Sequence, residues 1–135
     1  MARTPEQILA AARTIALVGA SPRPERPSNS VMRYLLREGY RVIPLRPVGP
    51  PEILGQRRVA SLAEIGEPID LVDVFRRSEF CPDVARQAVE AGAGALWLQL
   101  GIVSSEAREI AEEAGIDYVE DECTAIVHRR LPGAG

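Results

Sequence analysis

The chain has 135 residues, 46% of them hydrophobic and 26% charged, with a formal net charge of -3 at pH 7. That length and apolar content suit a single domain spanning residues 1–135, while the mild charge and 4% aromatics exclude nonspecific nucleic-acid binding and a stacking platform for single strands. All positive charge is arginine, which excludes Schiff-base lysine chemistry and a lysine-bearing phosphate loop.

Thr4 is a good helix cap, Pro5 suits a first helical position, and Ile8, Leu9 and Ala12 form one apolar stripe, so a short packing helix is expected first. The apolar run Ile15-Ala16-Leu17-Val18 predicts a strand over 14–18, buried on both faces and stopped by Gly19. Pro22, Pro24 and Pro27 then alternate with Arg23 and Arg26, so no helix is expected to begin within 20–27. Ser28 or Asn29 is expected to cap a second helix, with Val31, Met32, Leu35 and Leu36 inward and Gly39 at its end.

A second strand is expected over 40–45, delivering Arg46 to its tip, and 48–51 reads as a loop. Ser61-Leu62-Ala63-Glu64 matches a capping box and predicts a short helix. The third strand is expected over 71–75, with Arg76, Arg77 and Ser78 crowding its carboxyl end. Pro82 opens an amphipathic helix closed by Gly92, and 95–98 is a fourth strand leaving through Gln99-Leu100-Gly101. Ser104 caps another helix, carrying Ala107, Ile110, Ala111 and Ala114 and ended by Gly115, before a fifth strand over 116–119.

Cys81 and Cys123 are far apart and flank no paired-cysteine motif, so two buried, reduced structural thiols are expected. His128 is the single histidine, which leaves little for a zinc cluster or a catalytic triad and suggests surface or terminal packing. With no signal-peptide pattern and no membrane-length apolar run, the expected location is the cytoplasm. The arginine bias suggests a GC-rich or thermophilic source.

Strands alternating with helices, joined by right-handed crossovers, imply an α/β Rossmann-like three-layer fold with a parallel sheet of about five strands. Ligands of such sheets bind beyond the carboxyl ends, beside the first strand. A dinucleotide fingerprint is incomplete here: Gly19 fits, but Ser21 and Pro24 stand at the other two glycine positions, and Arg46 stands where an acid would meet a ribose. Instead arginine marks each exit, with Arg23 and Arg26 after the first strand, Arg46 after the second, and Arg76 and Arg77 after the third. Guanidinium forks of this kind suit a ligand with several separated phosphates. Ser21, Ser28 and Ser30 add neutral donors, and the start of the second helix adds its dipole.

Five segments together carry a resemblance: Val18-Gly19-Ala20-Ser21-Pro22, Arg26-Pro27-Ser28-Asn29-Ser30-Val31, Gly39-Tyr40-Arg41-Val42-Ile43-Pro44, Asp70-Leu71-Val72-Asp73-Val74-Phe75-Arg76 and Trp97-Leu98-Gln99-Leu100-Gly101. Over about 13–131 the chain resembles the stand-alone CoA-binding domain family, which is similar to the N-terminal domain of the succinyl-CoA synthetase alpha subunit. The resemblance implies that Gly19, Ala20, Ser21 and Pro22, with Arg23, hold a pyrophosphate, and that the end of the second strand, at Arg46 and Pro47, meets the adenosine 3′-phosphate. It implies further that Phe75 and Arg76, with Leu98, Gln99 and Leu100, border the adenine and the pantetheine arm. Where the family has Asn before the proline, this chain has Arg46, a group that matches a phosphate. The synthetase works through a phosphorylated histidine in a further domain, so its ligase chemistry is not expected here.

The expected function is therefore noncatalytic binding of coenzyme A or a CoA thioester, as carrier or regulatory sensor, without nucleic-acid or membrane partners. Two other classes stand beside it. One is an NADP-dependent oxidoreductase domain, with Arg46 on a 2′-phosphate; the other is an interaction domain with a vestigial nucleotide site.

Overall fold

The computed structural model describes residues 2–134. In chain order the elements are α1 (Pro5–Ala11), β1 (Thr14–Val18), α2 (Pro27–Arg37), β2 (Arg41–Leu45), β3 (Glu52–Ile53), β4 (Gln56–Arg57), β5 (Leu71–Val74), α3 (Cys81–Glu90), β6 (Ala95–Leu98), α4 (Ser105–Glu113), β7 (Asp117–Val119) and α5 (Thr124–His128). Five strands pair in parallel in the order β2-β1-β5-β6-β7, which is the expected Rossmann-like α/β sheet. The chain runs from β1 outward to β2 and then returns to β5 on the other side of β1. This reversal opens a crevice beyond the carboxyl ends of β1 and β5.

Because strand side chains alternate between faces, each strand contributes to two cores. Ile15, Leu17, Leu71, Ala95 and Trp97 pack with Ile8 and Leu9 of α1, Met32 and Leu35 of α2, and Ala125 and Val127 of α5. Ala16, Val18, Val72, Val74, Leu96 and Leu98 pack on the opposite face with Val84, Ala85 and Ala88 of α3 and Ala107 and Ala111 of α4. Trp97 is wholly buried and its indole N–H donates to Glu122 O at 2.7 Å, so its role is packing, and the pairing anchors the segment after β7.

Three local expectations need correction. Helix α2 starts at Pro27, inside the proline-rich stretch, with Arg26 rather than Ser28 or Asn29 in the capping position and no side-chain cap. Pro27 occupies the first turn, where its missing N–H is no loss and its fixed φ suits the helix. A hairpin, β3 and β4, forms where the sequence shows no alternating run; Leu54 and Gly55 both take positive φ at its two-residue turn. Helix α5 was also unexpected, since five residues are too few to display a helical period.

Candidate functional site

A cleft of about 720 Å³ lies beyond the carboxyl edge, walled by Gly19, Ser21, Arg23, Arg26, Pro27, Ser28, Val31, Arg46, Phe75, Gln99, Leu100, Ile102, Cys123 and Ile126. Its floor depends on Gly19, whose φ of +87° and position against β5 admit no other residue: a Cβ there would lie 2.6 Å from the Phe75 carbonyl oxygen. The Gly19 and Ala20 N–H groups both donate to Leu45 O, tying the turn to the end of β2. The loop beyond is braced from α2, where Asn29 Nδ2 donates to Ser21 O at 2.9 Å and Arg33 donates to Pro24 O at 3.2 Å.

The loop after β2 is braced by a second arginine. Arg58 donates to Arg46 O at 2.7 Å, to Pro47 O at 3.4 Å and to Pro50 O at 2.8 Å, while Arg46 Nε donates to Val48 O at 2.8 Å. Gly49 sits between the two side chains: an added Cβ would lie 3.3 Å from Arg46 Cδ and 3.6 Å from Arg58 Cδ. Arg23, Arg26 and Arg46 form no ion pair among the described residues, and the cleft wall contains no carboxylate. By strand order the arginine end of the cleft lies beyond β2 and β1, and the apolar end, with Phe75, Leu100, Ile102, Ile126 and the half-buried Cys123, lies beyond β5, β6 and β7.

Beneath the apolar end lies a wholly buried carboxyl, Asp73, bonded by Gln99 Nε2 at 2.5 Å and Thr124 Oγ1 at 3.0 Å. Burial raises its pKa to about 7, against the smaller opposing effect of those two hydrogen bonds.

Of the residues singled out by sequence, Gly19, Ser21, Arg23, Ser28, Arg46, Phe75, Gln99 and Leu100 lie together on the cleft wall. The others lie elsewhere, for reasons of strand and helix periodicity. Ala20 is buried in the core, Pro22 is exposed on the loop, and Ser30 points away on α2, donating to Pro27 O. Leu98 is two residues from Leu96 and joins it in the core against α3 and α4. Arg76 and Pro47 each follow a cleft residue by one position, and both border a smaller hollow with Phe80 and Val84 of the α3 side. There the Arg76 guanidinium lies 4.2 Å from the Phe80 ring centroid.

Sequence reasoning missed Pro27, Val31, Ile102, Cys123 and Ile126 as wall residues. Cys81 is buried as expected and its burial raises the thiol pKa, but Cys123 opens onto the cleft. His128 packs at the far end of α5, sharing a 2.7 Å hydrogen bond with the Tyr34 hydroxyl.

A family model described as a CoA binding domain matches residues 13–129. An uncharacterized protein of Bacillus subtilis, YneT, is 42% identical over 123 residues, covering 91% of this chain and 90% of its own length. Among solved structures, a hypothetical protein from Pyrococcus horikoshii is 39% identical with a TM-score of 0.90, covering 96% of this chain and 92% of that one. A Thermus thermophilus protein, cell-free ID.343, is 38% identical with a TM-score of 0.90, covering 96% and 100%.

Proposed function

Because this chain belongs to the CoA-binding domain family, we propose that its cleft binds coenzyme A or a CoA thioester and holds it without transforming it, as a carrier or a sensor. The observation that carries this reading is the polarity of the cleft: three arginines at one end without an ion pair among the described residues, an apolar wall at the other and no described carboxylate on either. Coenzyme A has the matching polarity, with phosphates on its nucleotide and a long amide-bearing tail ending in sulfur.

In this reading the Gly19 turn and Arg23 take the pyrophosphate, aided by the start of α2, where the Ser28 N–H and the helix dipole favour an anion. Arg46 takes the 3′-phosphate through its remaining N–H groups, its Nε being engaged by Val48 O. Phe75, Gln99 and Leu100 border the tail, with Val31, Ile102 and Ile126. Burial of apolar tail atoms there contributes roughly 25 cal/mol per Å².

A thermal-shift titration against CoA, dephospho-CoA, NADP and NAD tests the assignment. A ligand at a hundred times its dissociation constant adds about 2.7 kcal/mol of stability, a readily measured rise in melting temperature. The expected result is a shift with CoA that shrinks with dephospho-CoA. A shift with NADP alone would move the chain to the oxidoreductase class, and none with any ligand would favour an interaction domain.

A further inference from the structure

Asp73 stands in the middle of the sheet on β5, without access to solvent, where a carboxyl is costly unless both oxygens are bonded. Both are. Gln99 Nε2 donates to Oδ1 at 2.5 Å and Thr124 Oγ1 donates to Oδ2 at 3.0 Å, while Gln99 Nε2 also donates to Thr124 Oγ1 at 2.9 Å, closing a triangle between β5, the end of β6 and the start of α5.

A primary amide offers two N–H donors and one carbonyl acceptor. Both Gln99 donors are taken up by the triangle. Its backbone N–H donates to Val74 O and its backbone carbonyl accepts from Ile102 N. The one polar atom left is Oε1, which is not among the orphaned buried atoms and accepts nothing from the described residues, on a side chain that lines the cleft. With Asp73 ionised, turning the amide over would set its carbonyl against the Asp73 oxygen, acceptor against acceptor.

We propose that Asp73 is a positioning residue: with Thr124 it locks the Gln99 amide so that Oε1 faces the cleft as an acceptor for an amide N–H of the ligand's tail. The proposal rests on the CoA reading, since pantetheine carries two secondary amides where a nicotinamide nucleotide has none. It also accounts for an acid in an otherwise apolar strand.

Titration calorimetry of the wild type, Asp73→Asn, Gln99→Met and the double variant, against CoA and against adenosine 3′,5′-bisphosphate, which lacks the tail, tests it. Each single variant is expected to weaken CoA about tenfold, the scale of one hydrogen bond, with the bisphosphate nearly unchanged. The double variant is expected to be no weaker than Gln99→Met, because Asp73 acts through Gln99. Parallel losses for both ligands, or additive losses in the double variant, would overturn the assignment. Should Asp73→Asn fail to fold, Thr124→Val keeps the acid and the shape and is expected to give a milder loss, selective for CoA. A readout independent of ligand is the exchange of the Gln99 side-chain amide protons in the free protein, expected to be slow and to quicken in Asp73→Asn or Thr124→Val. Fast exchange in the wild type would sink the lock itself, whereas slow exchange without any CoA binding would overturn the ligand reading and, with it, the acceptor role.

Discussion

At one end of the cleft Arg23, Arg26 and Arg46 stand on loops, exposed or half-buried and without ion-pair partners among the described residues; at the other, Gln99 is held from below by a carboxyl that solvent does not reach. The arginine end offers charge, which acts over several ångströms and tolerates loose placement. The amide end offers one directional acceptor, useful only when its orientation is set in advance. That difference teaches where rigidity is needed: the triangle below Gln99 is saturated and buried, whereas the guanidinium groups keep N–H donors in reserve.

Each of the changes below strains this contrast, beginning with the feature both ends share. Gly19→Ala should have the largest effect, because the backbone conformation alone costs about 1–3 kcal/mol and the new Cβ collides with the Phe75 carbonyl that borders the cleft. Urea denaturation should show the lost stability, and CoA binding should disappear with it; an unaltered midpoint would mean that the turn relaxes freely.

Arg46→Ala comes next, with CoA expected to weaken by about 1.5–3 kcal/mol and dephospho-CoA hardly at all, as for a bond to a charged group. Arg58→Ala should give part of the same selective loss by freeing the carbonyls that it holds at Arg46, Pro47 and Pro50. Equal losses for the two ligands in calorimetry would separate Arg46 from the 3′-phosphate.

The amide end should reveal itself through pH. Asp73 has a folded pKa of about 7 against an ordinary value of 3.8, so across that window the folded protein retains a proton that the unfolded chain has released. Stability should therefore fall as pH rises from about 4 to about 7 and then level off, and Asp73→Asn should flatten that part of the profile. An unchanged slope in the variant would place the dependence elsewhere. Ser30→Ala should matter least, within about 0.5 kcal/mol in both stability and binding, since the hydroxyl faces away from the cleft and bonds only to Pro27 O. A selective loss of CoA affinity there would redraw the phosphate end.

Much of the fold was legible because the relevant signals are local. Proline and serine at helix starts, glycines after the last turns and short apolar runs located the long helices and each strand of the parallel sheet to within a residue or two, apart from the start of α2, which lies two or three residues earlier than its expected cap implied. The β3–β4 hairpin and α5 were not legible: each is too short to display a period, and each exists because a neighbouring element covers it. Missing α5 also meant missing Cys123 and Ile126 as wall residues, and the partner that gives Asp73 its second hydrogen bond.

By itself the sequence determined which residues stand at the carboxyl ends of the strands and that arginine gathers there, since both follow from the order of residues along the chain. Only the tertiary structure decided which of them share a cavity. Successive residues at a strand end point to opposite sides of the sheet, so Phe75 and Arg46 enter the cleft while Arg76 and Pro47 turn toward α3. Which side is open depends on where α2 and α5 pack, and that is set by contacts between residues far apart in the chain: Asp73 with Thr124, Tyr34 with His128, Trp97 with Glu122.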